Sequence, residues 1–172
     1  SLLKTVLEKT IGAKVGLIGT IQNMIGDEVQ ETERTTPESF ELQSLFSRMA
    51  QKGCTHVIME VSSHALALHR TDGIHFRVGI FTNLTEDHLD FHKTMTEYCD
   101  AKALLFRQCD IGVLNLDDLY YERIRRQATC RILTYSVKDN AADLVAKNIR
   151  LKPDRIETDV VTGNDISRAE LR

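Results

Sequence analysis

T-H-V-I-M-E-V, Thr55 to Val61, and F-R-V-G-I-F-T-N-L, Phe76 to Leu84, are short apolar runs that break into polar residues on their carboxyl side. Runs of this length, rich in Val and Ile, predict buried strands. Lys14 to Gly19, K-V-G-L-I-G, is a third run of the same kind. Before it, Leu2, Leu3, Val6 and Leu7 recur at helical spacing, and Gly12 is placed to end that helix. The polar stretch Gln22 to Thr36 predicts a loop or hairpin. Thr36-Pro37 then predicts a helix start, with Thr36 as cap, Pro37 in the first turn and Glu38 at the positive end of the dipole. That helix is expected to run to about Lys52, its apolar side made of Phe40, Leu42, Leu45, Phe46 and Met49, with Gly53 as terminator.

Beyond Leu84 the alternation continues. A helix from about Thr94 to Arg107 leads to a strand from Ile111 to Leu116, a helix capped by Asp117 and Asp118, and a strand from Arg131 to Tyr135. From Asp143 onward the helical pattern disappears. Leu144 to Leu151 and Ile156 to Val161, parted by Pro153-Asp154, predict an antiparallel edge hairpin near the C-terminus. Strands alternating with helices predict an α/β fold: a mostly parallel sheet flanked by helices.

The 172 residues fit one domain with a substantial core, and 42% hydrophobic with 27% charged residues is the composition of a soluble globular protein. A net charge of -3 with dispersed Lys and Arg argues against a nucleic-acid partner, which needs a clustered basic surface. The one basic run, Arg123, Arg125 and Arg126, is expected on a solvated helix face. No apolar stretch is long enough for a membrane span, and no secretory signal pattern opens the chain. Cys54, Cys99, Cys109 and Cys130 form no C-x-x-C pair and predict reduced, mostly buried thiols of a cytoplasmic protein.

In open α/β sheets, ligands bind at the carboxyl ends of the parallel strands. Glu60, Ser62 and Ser63 close one run; Asn83, Thr85, Asp87 and His88 close the next; Asn115 and Asp117 close a third. This clustering predicts an active site. Glu60 stands in an apolar run and calls for a partner, such as Mg²⁺ or a hydrogen-bond network; the plain structural alternative is an exposed strand face or a pairing with Arg70. Thr85 to His92, T-E-D-H-L-D-F-H, matches no H-E-x-x-H spacing. In it, His88 is the metal candidate, whereas His92 is expected as a satisfied surface or capping residue. Ser62-Ser63-His64 lacks G-x-S-x-G, so its hydroxyls are expected to bind substrate and not to act as nucleophiles. Thr35-Thr36 offers an anion site, simple capping, or both. Lys102 lies in the apolar helical segment Y-C-D-A-K-A-L-L-F, where neighbours depress an amine pKa; a snorkelling surface lysine is the plain alternative.

Together G-L-I-G-T, T-T-P-E-S, M-E-V-S-S-H-A-L-x-L-H-R, F-T-N-L-T-E-D-H-L-D-F-H, Y-x-x-A-K-x-L-L-F and L-N-L-D-D resemble the Mur ligase family, in family order over about residues 14 to 120. The spellings E-V-S-S-H-A-L and T-N-L-T-x-D-H-L-D-x-H resemble the branch that makes the UDP-muramoyl tripeptide. The resemblance implies a central ATPase domain of P-loop NTPase type. It also implies a reaction in which ATP phosphorylates the D-Glu carboxylate of UDP-MurNAc-L-Ala-D-Glu, and meso-diaminopimelate or L-lysine then attacks the acyl phosphate. By motif, Glu60 and His88 would bind Mg²⁺. Lys102 would be the carbamylated catalytic lysine beside that metal. Thr35, Thr36, Ser62 and Arg70 would hold the muramoyl dipeptide. Some relatives carry Gln where Leu68 stands, so that contact is absent here.

No G-x-x-x-x-G-K-[ST] phosphate loop occurs in the chain. The expectation is therefore a partial central domain over residues 1–172, an excised piece inactive alone, without the phosphate loop, the N-terminal uridine-binding domain or the C-terminal domain. A folylpolyglutamate synthase, another Mur ligase step, or a non-catalytic nucleotide-binding homologue are the competing expectations.

Overall fold

The computed structural model describes residues 1–87 and 89–171, grouped in two compact units, Ser1–Gly73 and Ile74–Arg172.

The first unit opens with α1 (Leu2–Ile11), which ends where expected: Gly12 adopts the left-handed conformation at φ 64° and its N–H returns to Leu7 O. β1 (Val15–Ile18) is buried at every position and lies between β2 (Asn23–Ile25) and β4 (His56–Met59). β2 and β3 (Glu28–Gln30) form the hairpin left open for the polar stretch. The sheet order is β3-β2-β1-β4, with β1 and β4 parallel from Val15↔His56 to Ile18↔Met59.

α2 spans Ser39–Gln51, and its cap differs from the expectation. Glu38 occupies the N-cap in a capping box with Glu41, while Thr36 lies outside the helix. Leu42, Leu45 and Met49 are its buried side, each contributing about 1.5–3 kcal/mol. Phe40 is 86% exposed, against expectation. Two residues before Leu42 it points about 200° away from that stripe at 3.6 residues per turn. Met49 packs so closely on β1 that a Cβ on Gly16 would stand 2.5 Å from its Sδ. α3 (Ser63–Ala67) follows β4.

The second unit is built on β5 (Phe76–Phe81), followed by the short α4 (Leu89–His92) and α5 (Met95–Ala103), which tightens into a 3-10 turn over Leu104–Arg107. β6 (Cys109–Asn115), α6 (Tyr121–Gln127) and β7 (Arg131–Ser136) come next. β8 (Leu144–Leu151), β9 (Ile156–Thr162) and β10 (Asp165–Leu171) complete the unit. The order is β10-β9-β8-β7-β6-β5, parallel from β5 to β8 and antiparallel from β8 to β10. The expected α/β class and C-terminal hairpin are present.

β10 adds to that hairpin where no strand was expected. Its one local signal is the turn: Gly163 takes φ 59° in a two-residue Gly-Asn turn after β9. Phe81, Tyr98, Cys99, Phe106, Leu114 and Ile124 form the centre of the core here.

All four cysteines are free. Cys99 and Cys109 are buried, whereas Cys54 and Cys130 are half-buried. Burial pushes the Cys99 thiol up to about 11. Arg123 is exposed as expected, yet it makes two 2.7 Å bonds to the Asp100 carboxylate. Among the described residues no helix is long and apolar enough to cross a membrane.

Candidate active site

β1 and β4 run parallel, so their carboxyl ends lie side by side, and Glu60 N–H extends the ladder to Ile18 O at 2.8 Å. Glu60 stands just past β4 and is exposed. The desolvation cost that an apolar-strand position implied therefore does not arise. Its partner is not Arg70. Thr20, one residue beyond Gly19, donates to Glu60 Oε2 from its backbone N–H at 2.8 Å and from its hydroxyl at 2.6 Å. Oε1 has no hydrogen-bond partner among the described residues.

Thr36 is buried and ties the neighbouring pieces together. Its hydroxyl donates to Glu60 O at 2.8 Å and accepts from Ser62 N–H at 3.0 Å. Its carbonyl accepts from Arg70 Nη1 at 3.3 Å. The TTP segment is thus fixed to the end of β4 by the residue expected to cap α2. Thr35 Oγ1 lies 3.0 Å from Thr20 Oγ1. Ser62 caps α3, its Oγ accepting from Ala65 N–H at 3.1 Å, which leaves its own proton for another acceptor. Arg70 Nη2 pairs with Glu38 Oε1 at 2.9 Å, and Arg34 pairs with the same carboxylate. Arg70 Nε is buried without a partner among the described residues. Asp72, two residues beyond Arg70, lies 3.1 Å from His69 Nδ1. Thr35, Thr36, Glu60, Ser62 and Arg70, far apart in sequence, thus form one hydrogen-bonded cluster.

The sequence assigns Thr20, which closes the quoted G-L-I-G-T, no role, and Glu38 only a place at the positive end of the helix dipole. Their contacts in this cluster are not marked locally, because both act on partners across the fold.

In the second unit, Lys102 sits in the last turn of α5, half-buried, with Nζ 5.8 Å from the Tyr98 ring centroid. Burial lowers its pKa, and the Asp87 carboxylate pulls the other way without cancelling the effect. His92 is 5% exposed, stacked on Tyr98 at 5.1 Å and edge-on to Phe91. It is a buried, ring-packed residue and not the surface or capping histidine expected. His88 lies outside the described residues.

At the end of β6 the polar residues bond to their own surroundings. Asn115 Nδ2 donates to Thr82 O at 2.8 Å, and its Oδ1 accepts from Asp117 N–H at 3.0 Å. Asp118 accepts from Leu84 N–H and Tyr120 N–H, and Asp117 from Ser136 Oγ and Val137 N–H. Burial works against Asp117 ionising, but the Ser136 and Val137 bonds outweigh it and hold the carboxyl below its usual range.

Among the described residues no three His, Cys, Asp or Glu side chains gather as a metal-binding group. Glu60 alone still fits a hard cation: it is an exposed carboxylate with one oxygen pinned by Thr20 and the other without a hydrogen-bond partner among the described residues.

The family model for the Mur ligase middle domain matches residues 1–171. The UDP-N-acetylmuramoyl-L-alanyl-D-glutamate–2,6-diaminopimelate ligase of Clostridium botulinum is 46% identical over 164 residues, covering 95% of this chain and 34% of that protein. A solved structure of a ligase of that name superposes with a TM-score of 0.83 at 27% identity, over 95% of this chain and 34% of that one. The FPGS–AMPPCP complex shares the fold alone, with a TM-score of 0.59 at 14% identity over 98% of this chain and 49% of that one. The chain spans about a third of the length of the diaminopimelate ligases it matches. A family model matched from end to end, on a sheet whose strand ends gather the family's motif residues, places the chain in the Mur ligase family.

Proposed function

We propose that this chain is the middle domain of a cytoplasmic, ATP-dependent ligase that joins meso-diaminopimelate to UDP-MurNAc-L-Ala-D-Glu. The observation that carries this reading is the joining of Thr35, Thr36, Glu60, Ser62 and Arg70 in one network, in a chain 46% identical to a ligase of that name. That likeness favours diaminopimelate over L-lysine as the incoming amino acid.

In the proposed reaction the terminal phosphoryl group of ATP passes to the D-Glu carboxylate, giving an acyl phosphate and ADP. The amine then attacks the acyl carbon, and phosphate leaves as the amide forms. The difficulty is electrostatic, because two anions must meet. Mg²⁺ would supply charge screening; Glu60 is the ligand candidate of the first unit, and His88, outside the described residues, is a candidate by motif alone. Ser62 has a hydroxyl proton to give an anionic substrate, and Thr35 joins the network through Thr20. Arg70 has a double task. Its two Nη atoms brace the Thr36–Glu38 segment, while its orphaned Nε would be relieved by a bound acceptor. Lys102 is suited to carbamylation, since burial favours the neutral amine that adds to carbon dioxide.

The test is an ATP-dependent ligation assay of the full-length enzyme with UDP-MurNAc-L-Ala-D-Glu and each diamino acid in turn. Diaminopimelate should be incorporated with stoichiometric ADP and phosphate. Lysine incorporation alone would move the third amino acid, and no ligation with either would overturn the reading.

A further inference from the structure

We propose that Thr20 is a positioning residue that sets the orientation of the Glu60 carboxylate and ties it to Thr35. The proposal rests on the reading of Glu60 as a metal ligand. An exposed glutamate on its own samples several rotamers. Here the Glu60 backbone is fixed by the ladder to Ile18, and its Oε2 is fixed by two donors from one residue, at 2.8 and 2.6 Å. With Oε2 saturated on that side, Oε1 is the oxygen left for a ligand. Gly19 makes the approach possible, because a Cβ there would stand 3.1 Å from the Glu60 carboxyl carbon and 3.2 and 3.3 Å from its oxygens.

The chain of hydroxyls also has a direction. A carboxylate only accepts, so the Thr20 proton belongs to Glu60. Thr20 must then accept from Thr35 across their 3.0 Å contact. Thr35 has its proton committed to Thr20 and offers substrate only lone pairs. Among the substrate's groups it therefore suits an amide N–H and not a carboxylate. A group bound at Thr35 and a cation bound at Glu60 are in this way linked through a single hydroxyl.

Thr20→Val removes the hydroxyl and keeps the shape and the backbone N–H. In the full-length ligase its apparent Kd for Mn²⁺, read by electron paramagnetic resonance without substrate turnover, should rise about tenfold, the size of effect seen when an outer partner of a metal ligand is lost. Thr20→Ser should restore binding to within about twofold. KM for the muramoyl dipeptide should rise in Thr20→Val while KM for ATP moves less. Thermal unfolding should separate this from a folding defect: a variant that melts like wild type yet binds Mn²⁺ weakly supports positioning. Wild-type Mn²⁺ affinity in Thr20→Val would overturn the proposal, provided Glu60→Gln weakens binding. If Glu60→Gln also binds Mn²⁺ like wild type, the metal reading fails instead. A crystal structure of Thr20→Val then decides, and a Glu60 carboxylate unmoved in it would overturn the positioning role. Should Thr20→Val not fold, Gly19→Ala crowds the same carboxylate from behind and must give the same loss.

Discussion

The carboxyl ends of β1 and β4 carry Thr20, Glu60 and Ser62, and the end of β6 carries Asn115, Asp117 and Asp118. In the sequence the two sets look alike, as polar residues following an apolar run. In the structure they are used in opposite ways. At β4 the bonds hold side chains in place and leave functional atoms over: Glu60 Oε1, the Ser62 proton and Arg70 Nε. At β6 the carboxylates and the carboxamide face backbone N–H and C=O groups of adjacent loops and staple Thr82, Leu84 and Val137 in position. A polar residue at a strand end signals a ligand site only when its capacity exceeds what the neighbouring backbone consumes.

The comparison can be broken at several points. Lys102→Ala in the full-length ligase is expected to have the largest effect, a loss of ligation of about a thousandfold or more if the lysine acts on the reacting groups. Added bicarbonate should not rescue it, and near-normal turnover would leave Lys102 as a packing residue on Tyr98. Arg70→Ala comes next. Loss of a charge-assisted bond worth about 1.5–3 kcal/mol should raise KM for the muramoyl dipeptide roughly tenfold to hundredfold, well beyond any change for ATP. Because Arg70 also braces Thr36 and Glu38, the melting temperature should fall as well, and Arg70→Lys should recover little of either. Equal shifts for both substrates would leave it a brace alone.

The β6 end predicts the reverse pattern. Asn115→Ala should cost about 1–3 kcal/mol in denaturant unfolding, by orphaning Asp117 N–H and leaving Thr82 O with only its 3.3 Å bond from the Tyr135 hydroxyl, with Mn²⁺ affinity unchanged. A metal-binding defect there would erase the contrast between the two strand ends.

The smallest effect concerns pH. The Arg123 hydrogen bonds hold the Asp100 carboxyl below its ordinary 3.8, with Gln127 assisting against the cost of burial. Since the folded value is the lower one, the stabilisation is present above 3.8 and is lost as pH falls through the folded value. The melting difference between wild type and Arg123→Ala should therefore be steady near neutral pH and shrink on acidification through that window. A difference independent of pH would mean that the Arg123 stem and not its charge does the bracing.

Much of the fold is legible because its signals are local. Gly12 stops α1, Leu42, Leu45 and Met49 repeat at the helical period, and Val15 to Ile18 form a run that only a buried strand accommodates. β10 escaped because D-I-S-R-A-E-L has little apolar content, and most of that edge strand is exposed. Phe40 and His92 show the limit in both directions: helix patterning counted the first inside, the second was expected as a surface or capping residue, and packing reversed both.

The sequence by itself determined the family, most of the order of strands and helices as far as β9, and several of the residues joined at the end of β4. It could do so because motif spelling, period and turn chemistry act within a few residues. Only the tertiary structure decided how those residues are spent. Thr36 serves the end of β4 and not the cap of α2, Arg70 answers to Glu38 and not Glu60, and the Glu60 carboxylate belongs to a threonine 40 positions earlier. The physical reason is that a side chain has few donors and acceptors. Which partner takes them is settled by groups that parallel pairing of β1 with β4 brings within 3 Å, and no local pattern records that pairing.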